Sequence, residues 1–141
     1  MRMIALLFVL AAVEAADMPL TQPADVAAAL SGKSKPMVLQ VGPNVLYRSK
    51  HIPGAIYAGM AARPEGLELL KKTVDSVPRD RQIVIYCGCC PWDHCPNIRP
   101  ALELLRSMGF AHVKAMFLPT DFKVDWIDKG YPVEAGAAQS R

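Results

Sequence analysis

Four cysteines and a histidine fall within nine residues: Cys87-Gly88-Cys89-Cys90-Pro91-Trp92-Asp93-His94-Cys95. The chain has no other cysteine. Three chemistries fit these residue types. The first is a reactive cysteine with neighbouring thiols to resolve it, because the thiolate is the nucleophilic form of the side chain. The second is a metal site on Cys87, Cys89, Cys90, His94 and Cys95, since thiolates suit copper(I) or zinc and an imidazole suits either. The third is a structural disulfide in an oxidising compartment. Adjacent Cys89 and Cys90 are poor partners for each other, so the bridge is expected between Cys95 and one of them. Pro91 and Pro96 stiffen the loop and lower the entropy of presenting these groups.

The elements on either side decide where such a loop sits. Ile83-Val-Ile-Tyr86 runs directly into Cys87. It is apolar without alternation, as suits a strand of a parallel sheet covered on both faces. After the loop, Ile98, Ala101, Leu102, Leu105 and Met108 recur at helical spacing, with Gly109 to close the helix. With Asn97 as N-cap, Pro100 falls in the first turn, where its missing N–H costs no bond. The loop therefore joins a strand end to a helix start. Free N–H groups and the positive end of the helix dipole favour an anion there. A thiolate is expected on Cys87, which is fixed to the strand end. Cys95, two residues before the N-cap, is its rival as nucleophile, and Cys90 or Cys95 could resolve a Cys87 intermediate.

Elsewhere the chain alternates strands and helices. Asp25 caps a short helix through Leu30, Met37–Val41 is a buried strand stopped by Gly42-Pro43, and Ala55–Tyr57 is a short second strand. Leu67, Leu70, Val74 and Val77 define a helix from Pro64 to about Ser76. A strand is expected over His112–Phe117 and a last helix over Asp121–Asp128, with Gly130 as its stop. This order predicts an α/β domain with a mostly parallel sheet, its ligand beyond the carboxyl ends of the strands.

Composition removes other classes. Of 141 residues, 52% are hydrophobic and 21% charged, enough for one domain with its own core and too apolar for intrinsic disorder. Sixteen basic against thirteen acidic residues give +3, without the basic block that nucleic acid would require. Arg2 precedes an apolar run from Met3 to Val13, short of the roughly 20 residues of a membrane span. Small residues at Val13 and Ala15 complete a signal-peptide pattern, with cleavage expected after Ala15 or Ala16. The organisation expected is a signal peptide over 1–15, a lead and short helix over 16–32, and the main domain over 33–138. The protein is expected to be exported, periplasmic or secreted, and not stably inserted in a membrane.

Several of these segments together resemble the rhodanese family. His51-Ile-Pro-Gly-Ala-Ile-Tyr57 is similar to its "GHIPGAI" segment, and Ile83-Val-Ile-Tyr-Cys87 to its central strand ending in the catalytic cysteine. Ala101–Phe110 and Gly130-Tyr-Pro-Val133, with Trp126 before it, are similar to the helix after the active loop and to the family's tail. The resemblance implies a five-stranded, mostly parallel sheet flanked by helices, and sulfur transfer through a cysteine persulfide. Its partners would be a small sulfur-containing substrate and a thiol acceptor, with no cofactor. Three departures stand out. Gln40-Val41-Gly42 replaces an Asp-Val-Arg strand end, and Asp121-Phe122 lies where the family has a Gly-Gly before its last helix. The family's loop reaches an arginine about five residues after its cysteine. Here Asn97 stands there, ten positions after Cys87.

An Asn cannot supply the arginine's charge, which disfavours phosphatase or arsenate-reductase chemistry. Arg99 is the candidate replacement, and Gly88, Cys89, His94, Asn97 and Arg99 are expected to line the substrate site. A thiophilic-metal module, holding copper or zinc, and a thiol–disulfide oxidoreductase are the alternatives to sulfur transfer. His51 is expected to be structural, His112 to lie on the surface, and Trp92 and Trp126 to pack.

Overall fold

The computed structural model of the protein describes residues 18–136; the expected signal peptide lies outside them. Five strands form one sheet: β1 (Leu20–Thr21), β2 (Met37–Gln40), β3 (Ile56–Tyr57), β4 (Ile83–Tyr86) and β5 (Val113–Met116). Their order is β1-β5-β4-β2-β3, and every pairing is parallel. β4 is thus central, hydrogen-bonded to β2 and β5. Helices α1 (Pro23–Leu30), α2 (Asn44–Ser49), α3 (Pro64–Val74) and α4 (Ile98–Ser107) flank the sheet.

The unbroken apolar run of β4 has the expected cause, since all four residues are buried. Ile83 and Ile85 pack with Leu70 and Val74 of α3 and with Leu102 and Leu105 of α4. Val84 and Tyr86 point the other way, to Val26 of α1, Tyr47 of α2 and Trp126. Alternate side chains therefore serve two cores, each Leu or Ile contributing about 1.5–3 kcal/mol by leaving water.

Three differences from the sequence expectations have local causes. β1 and α1, placed before the main domain, belong to it: β1 pairs with β5, and Val26 is buried in the second core. α2 follows Gly42-Pro43, read above as a plain stop. It is short, and it is held by Tyr47, whose hydroxyl donates to the Ala55 carbonyl at 2.7 Å. The last helix is a single wide turn over Lys123–Ile127, with Asp128 N–H donating to the Lys123 carbonyl at 2.8 Å. Phe122 and Trp126 are both buried there and stack with centroids 6.0 Å apart.

Candidate active site

Cys87 is the first residue beyond β4 and is 4% exposed. Its position is over-determined from the neighbouring strand. Gln40, buried at the end of β2, donates from Nε2 to the Cys87 carbonyl at 3.2 Å and accepts the Gly42 N–H at 3.3 Å. A Cβ on Gly42 would lie 2.6 Å from that carbonyl oxygen and 3.0 Å from Cys87 Sγ. Gly88 then turns the chain at φ +77°, where an added Cβ would meet Phe122 Cβ at 2.7 Å. That left-handed turn, next to Phe122, is why the position needs glycine.

The inserted part of the loop bends through a 3₁₀ turn at Trp92–His94. Trp92 N–H donates to the Pro119 carbonyl at 3.2 Å, and its ring packs edge-on against Phe117. Asn97 closes the loop. It holds the N-cap position of α4, but its side chain does not cap the helix. Its Oδ1 accepts the Ala62 N–H at 2.8 Å, and its Nδ2 donates to Cys87 Sγ at 3.2 Å. The residue standing in the arginine's place is thus a buried clamp, 1% exposed, between the loop and the segment before α3.

The fold gathers the four cysteine sulfurs within 4.8 Å of one another. Cys89 and Cys90 are bonded to each other, while Cys87 and Cys95 are free thiols. The pairing differs from the bridge expected between Cys95 and one of its neighbours.

The surroundings of the two free thiols pull their acidities in opposite directions. Cys95 is lowered to about 6, first by a hydrogen bond from Cys87 and then by the Asn97 and Ile98 N–H groups, against the opposing effect of burial. The Cys87 thiol is pushed up, first by its bond to Cys95 and then by burial; the Cys89 N–H and Asn97 Nδ2 offset only part of this. Cys87 Sγ also lies 3.1 Å from Cys89 Sγ. The negative sulfur of Cys95 is the better acceptor for its proton. Both effects run the same way, favouring a Cys87 thiol and a Cys95 thiolate.

Other expected residues fall away from this centre. His94 is exposed and stands outside the sulfur group. Arg99 is exposed on the first turn of α4, and no hydrogen bond from it reaches the loop among the described residues. Gly88 and Cys89 line an open cleft of about 370 Å³, with Lys50, Phe122 and Lys123 around it. A second cavity of about 390 Å³, between α1 and the starts of β4 and β5, contains no cysteine. His51 is buried and structural, stacked on Tyr47 at 3.8 Å and bonded to the Tyr47 carbonyl and Glu134. Gln40, Gly42 and Ala62 were not among the expected site residues. Gln40-Val41-Gly42 was visible only as a departure from the family's strand end.

The sequence profile described as the rhodanese-like domain matches residues 23–116. The chain belongs to the rhodanese-like domain family. Its match begins at α1, in keeping with the place of that helix in the core. No curated protein sequence matches the chain. Among solved structures, the rhodanese-like domain of an Anabaena protein is 26% identical with a TM-score of 0.61, over 87% of this chain and 83% of that one. A thiosulfate sulfurtransferase from Pseudomonas aeruginosa superposes with a TM-score of 0.63 at 20% identity, over 88% of this chain and 21% of the other. The polysulfide-sulfur transferase of Wolinella succinogenes, a homodimer, does so at 0.62 and 16% identity, over 89% and 85%. In this rhodanese-like chain Cys87 stands directly after the central strand, on a loop that also brings Cys95 to the start of α4. Among its described residues no helix is long and apolar enough to cross a membrane.

Proposed function

We propose that the protein is an exported sulfurtransferase that carries sulfane sulfur as a persulfide on the Cys87–Cys95 pair. The observation that carries this is that the Cys87 and Cys95 sulfurs lie within 4.8 Å of each other, between a strand end and a helix start on the rhodanese-like fold. Cys95 is the attacking thiolate. It bonds to the outer sulfur of a donor such as thiosulfate, the S–S bond of the donor breaks, and its electron pair leaves with sulfite. Charge is conserved: one thiolate becomes one persulfide anion. The Asn97 and Ile98 N–H groups stabilise the anion before and after transfer. An acceptor thiolate then takes the outer sulfur and returns Cys95 to its starting form. Lys50 and Lys123 beside the cleft favour an anionic donor, although Lys123 also pairs with Asp128 at 3.0 Å. The thiosulfate and polysulfide enzymes among the structural relatives support the same substrate class.

The test is the mass of the reduced full chain after thiosulfate treatment. A gain of one sulfur is expected, located by fragmentation at Cys95. Cys95→Ser should abolish the gain, and Cys87→Ser should slow it. If Cys95→Ser still takes up sulfur and Cys87→Ser does not, the nucleophile is Cys87. If no variant or wild type gains sulfur, the activity is wrong. One observation favours a second class, thiol–disulfide exchange: Cys87 Sγ sits 3.1 Å from a sulfur of the Cys89–Cys90 disulfide. That class would show transfer of two hydrogens to or from a dithiol partner in place of sulfur gain. Export is supported by the apolar run after Arg2. N-terminal sequencing of protein from the exported fraction should begin at Ala16 or Asp17, and an intact Met1 would overturn it.

A further inference from the structure

The four-sulfur group has a capacity that sulfur transfer does not use. Carrying one sulfane atom needs at most two of the cysteines, yet the loop brings Cys89 and Cys90 into the same cluster. A tetrahedral ion with metal–sulfur bonds of about 2.3 Å sets its sulfurs about 3.8 Å apart. Outside the Cys89–Cys90 pair, the 3.1 Å between Cys87 and Cys89 and the 4.8 Å limit on the whole group lie on either side of that edge. Side-chain rotations of about 1 Å would close the group on one ion. Neither an acid nor a histidine belongs to the group, so the donor set is wholly soft. Such a set selects zinc or copper(I) over magnesium, calcium or manganese.

The surroundings also suit bound thiolates. Asn97 Nδ2 already donates to Cys87 Sγ, and Cys95 lies two residues before the N-cap position of α4. Outer donors of this kind orient the ligands and spread their charge. Asn97 is itself pinned by the Ala62 N–H, so the frame does not depend on the metal to exist.

We propose that, with the Cys89–Cys90 bond reduced, Cys87, Cys89, Cys90 and Cys95 together hold one thiophilic closed-shell ion, zinc(II) or copper(I), through their four sulfurs. A dithiol opens the Cys89–Cys90 bond by exchange. It leaves as its own disulfide, and the loop gains two thiols. Binding then releases the thiol protons to solvent. With the bond closed only Cys87 and Cys95 remain as thiols, and the site is lost. Metal loading and sulfur carriage exclude each other because both need Cys95. The proposal goes beyond the sulfur-carrier function and does not depend on it.

The experiment uses the full chain, reduced with a phosphine, freed of it without oxygen, and titrated separately with zinc(II), with copper(I), and with cobalt(II) as a coloured reporter of the zinc site. Metal retained after desalting is measured by elemental analysis and native mass spectrometry. One ion per chain is expected for zinc or copper(I), with cobalt giving the intense visible bands of a tetrahedral thiolate site. Retention of zinc alone assigns the site to zinc, and a tighter copper(I) complex without cobalt colour assigns it to copper. Cys90→Ser and Cys95→Ser should each weaken binding about tenfold or more, and the oxidised chain should retain none. Far-UV circular dichroism confirms that the variants fold. The proposal is overturned if the reduced wild type retains no ion, or if the oxidised chain or Cys90→Ser binds as well as the reduced wild type. Persulfide formation on the metal-free chain is scored separately. Sulfur gain without metal binding overturns this proposal alone, and metal binding without sulfur gain overturns only the proposed activity.

Discussion

At the scale of single residues, the distinctive feature is how one negative charge is shared between two sulfurs. Cys95 is lowered by the backbone of α4's start and by a hydrogen bond from Cys87, whereas Cys87 is buried and keeps its proton. Cys95 is therefore a thiolate above about pH 6, where a free thiol would need about pH 9. Alkylation of the reduced protein by iodoacetamide should rise with pH through a midpoint near 6, at Cys95 first. Removing a donor to the charged form raises a pKa, so Cys87→Ala should move that midpoint upward. An unchanged midpoint in Cys87→Ala would show that the pair is not coupled. Asn97 supports a different prediction. Asn97→Ala would leave the Ala62 N–H without its acceptor and Cys87 without a donor, costing about 1–3 kcal/mol. Urea denaturation would measure it, and a wild-type midpoint would mean that the clamp bears no energy.

At the scale of elements, β4 and α4 set the geometry of the site, and β2 limits how far the loop can move. Gly42 on β2's exit touches Cys87 across the strand gap. In Gly42→Ala the new methyl would press on the Cys87 carbonyl and sulfur and displace the thiol that supports Cys95. Sulfur uptake should slow, by no more than in Cys87→Ser, while thermal unfolding stays cooperative and loses about 1–3 kcal/mol from overpacking. Uptake at the wild-type rate would detach the β2 exit from catalysis. α4 is anchored by its apolar face. Leu102 is 2% exposed against β4, so Leu102→Asp would bury an unpaired charge and cost about 3 kcal/mol or more. A wild-type melting temperature in that variant would contradict the register of α4.

At the scale of the whole molecule, the chain's last described segment closes over the edge beyond α2. Glu134 pairs with His51 through an antiparallel backbone bridge, and its carboxylate accepts from His51 Nε2 and the Gly54 N–H, each at 3.0 Å. Trp126 Nε1 donates to the Pro132 carbonyl at 2.8 Å and holds the same segment against the second core. Glu134 is half exposed, so Glu134→Ala should cost no more than about 1 kcal/mol. It should raise amide exchange at His51 and Gly54 before any change elsewhere. Exchange that rises equally across β4 would mean that the segment is part of the global unit.

Local pattern was enough for the central strand, for the helix from Ile98 and its N-cap position at Asn97, and for the α/β class, because period and turn chemistry are properties of neighbours in the chain. The same pattern placed every cysteine on the loop between them. It could not place α2 or the wide turn at Lys123–Ile127. Both are short and are held by distant partners, Tyr47 through Ala55, and Trp126 through Tyr131 and Pro132. Nor could spacing say which sulfur bears the charge. That depends on how close α4's start brings Cys95 to Cys87, and on the depth at which Cys87 is buried beyond β4. The residues supplied the chemistry; their protonation and pairing follow from distances and burial that arise once α4 is docked over the end of β4.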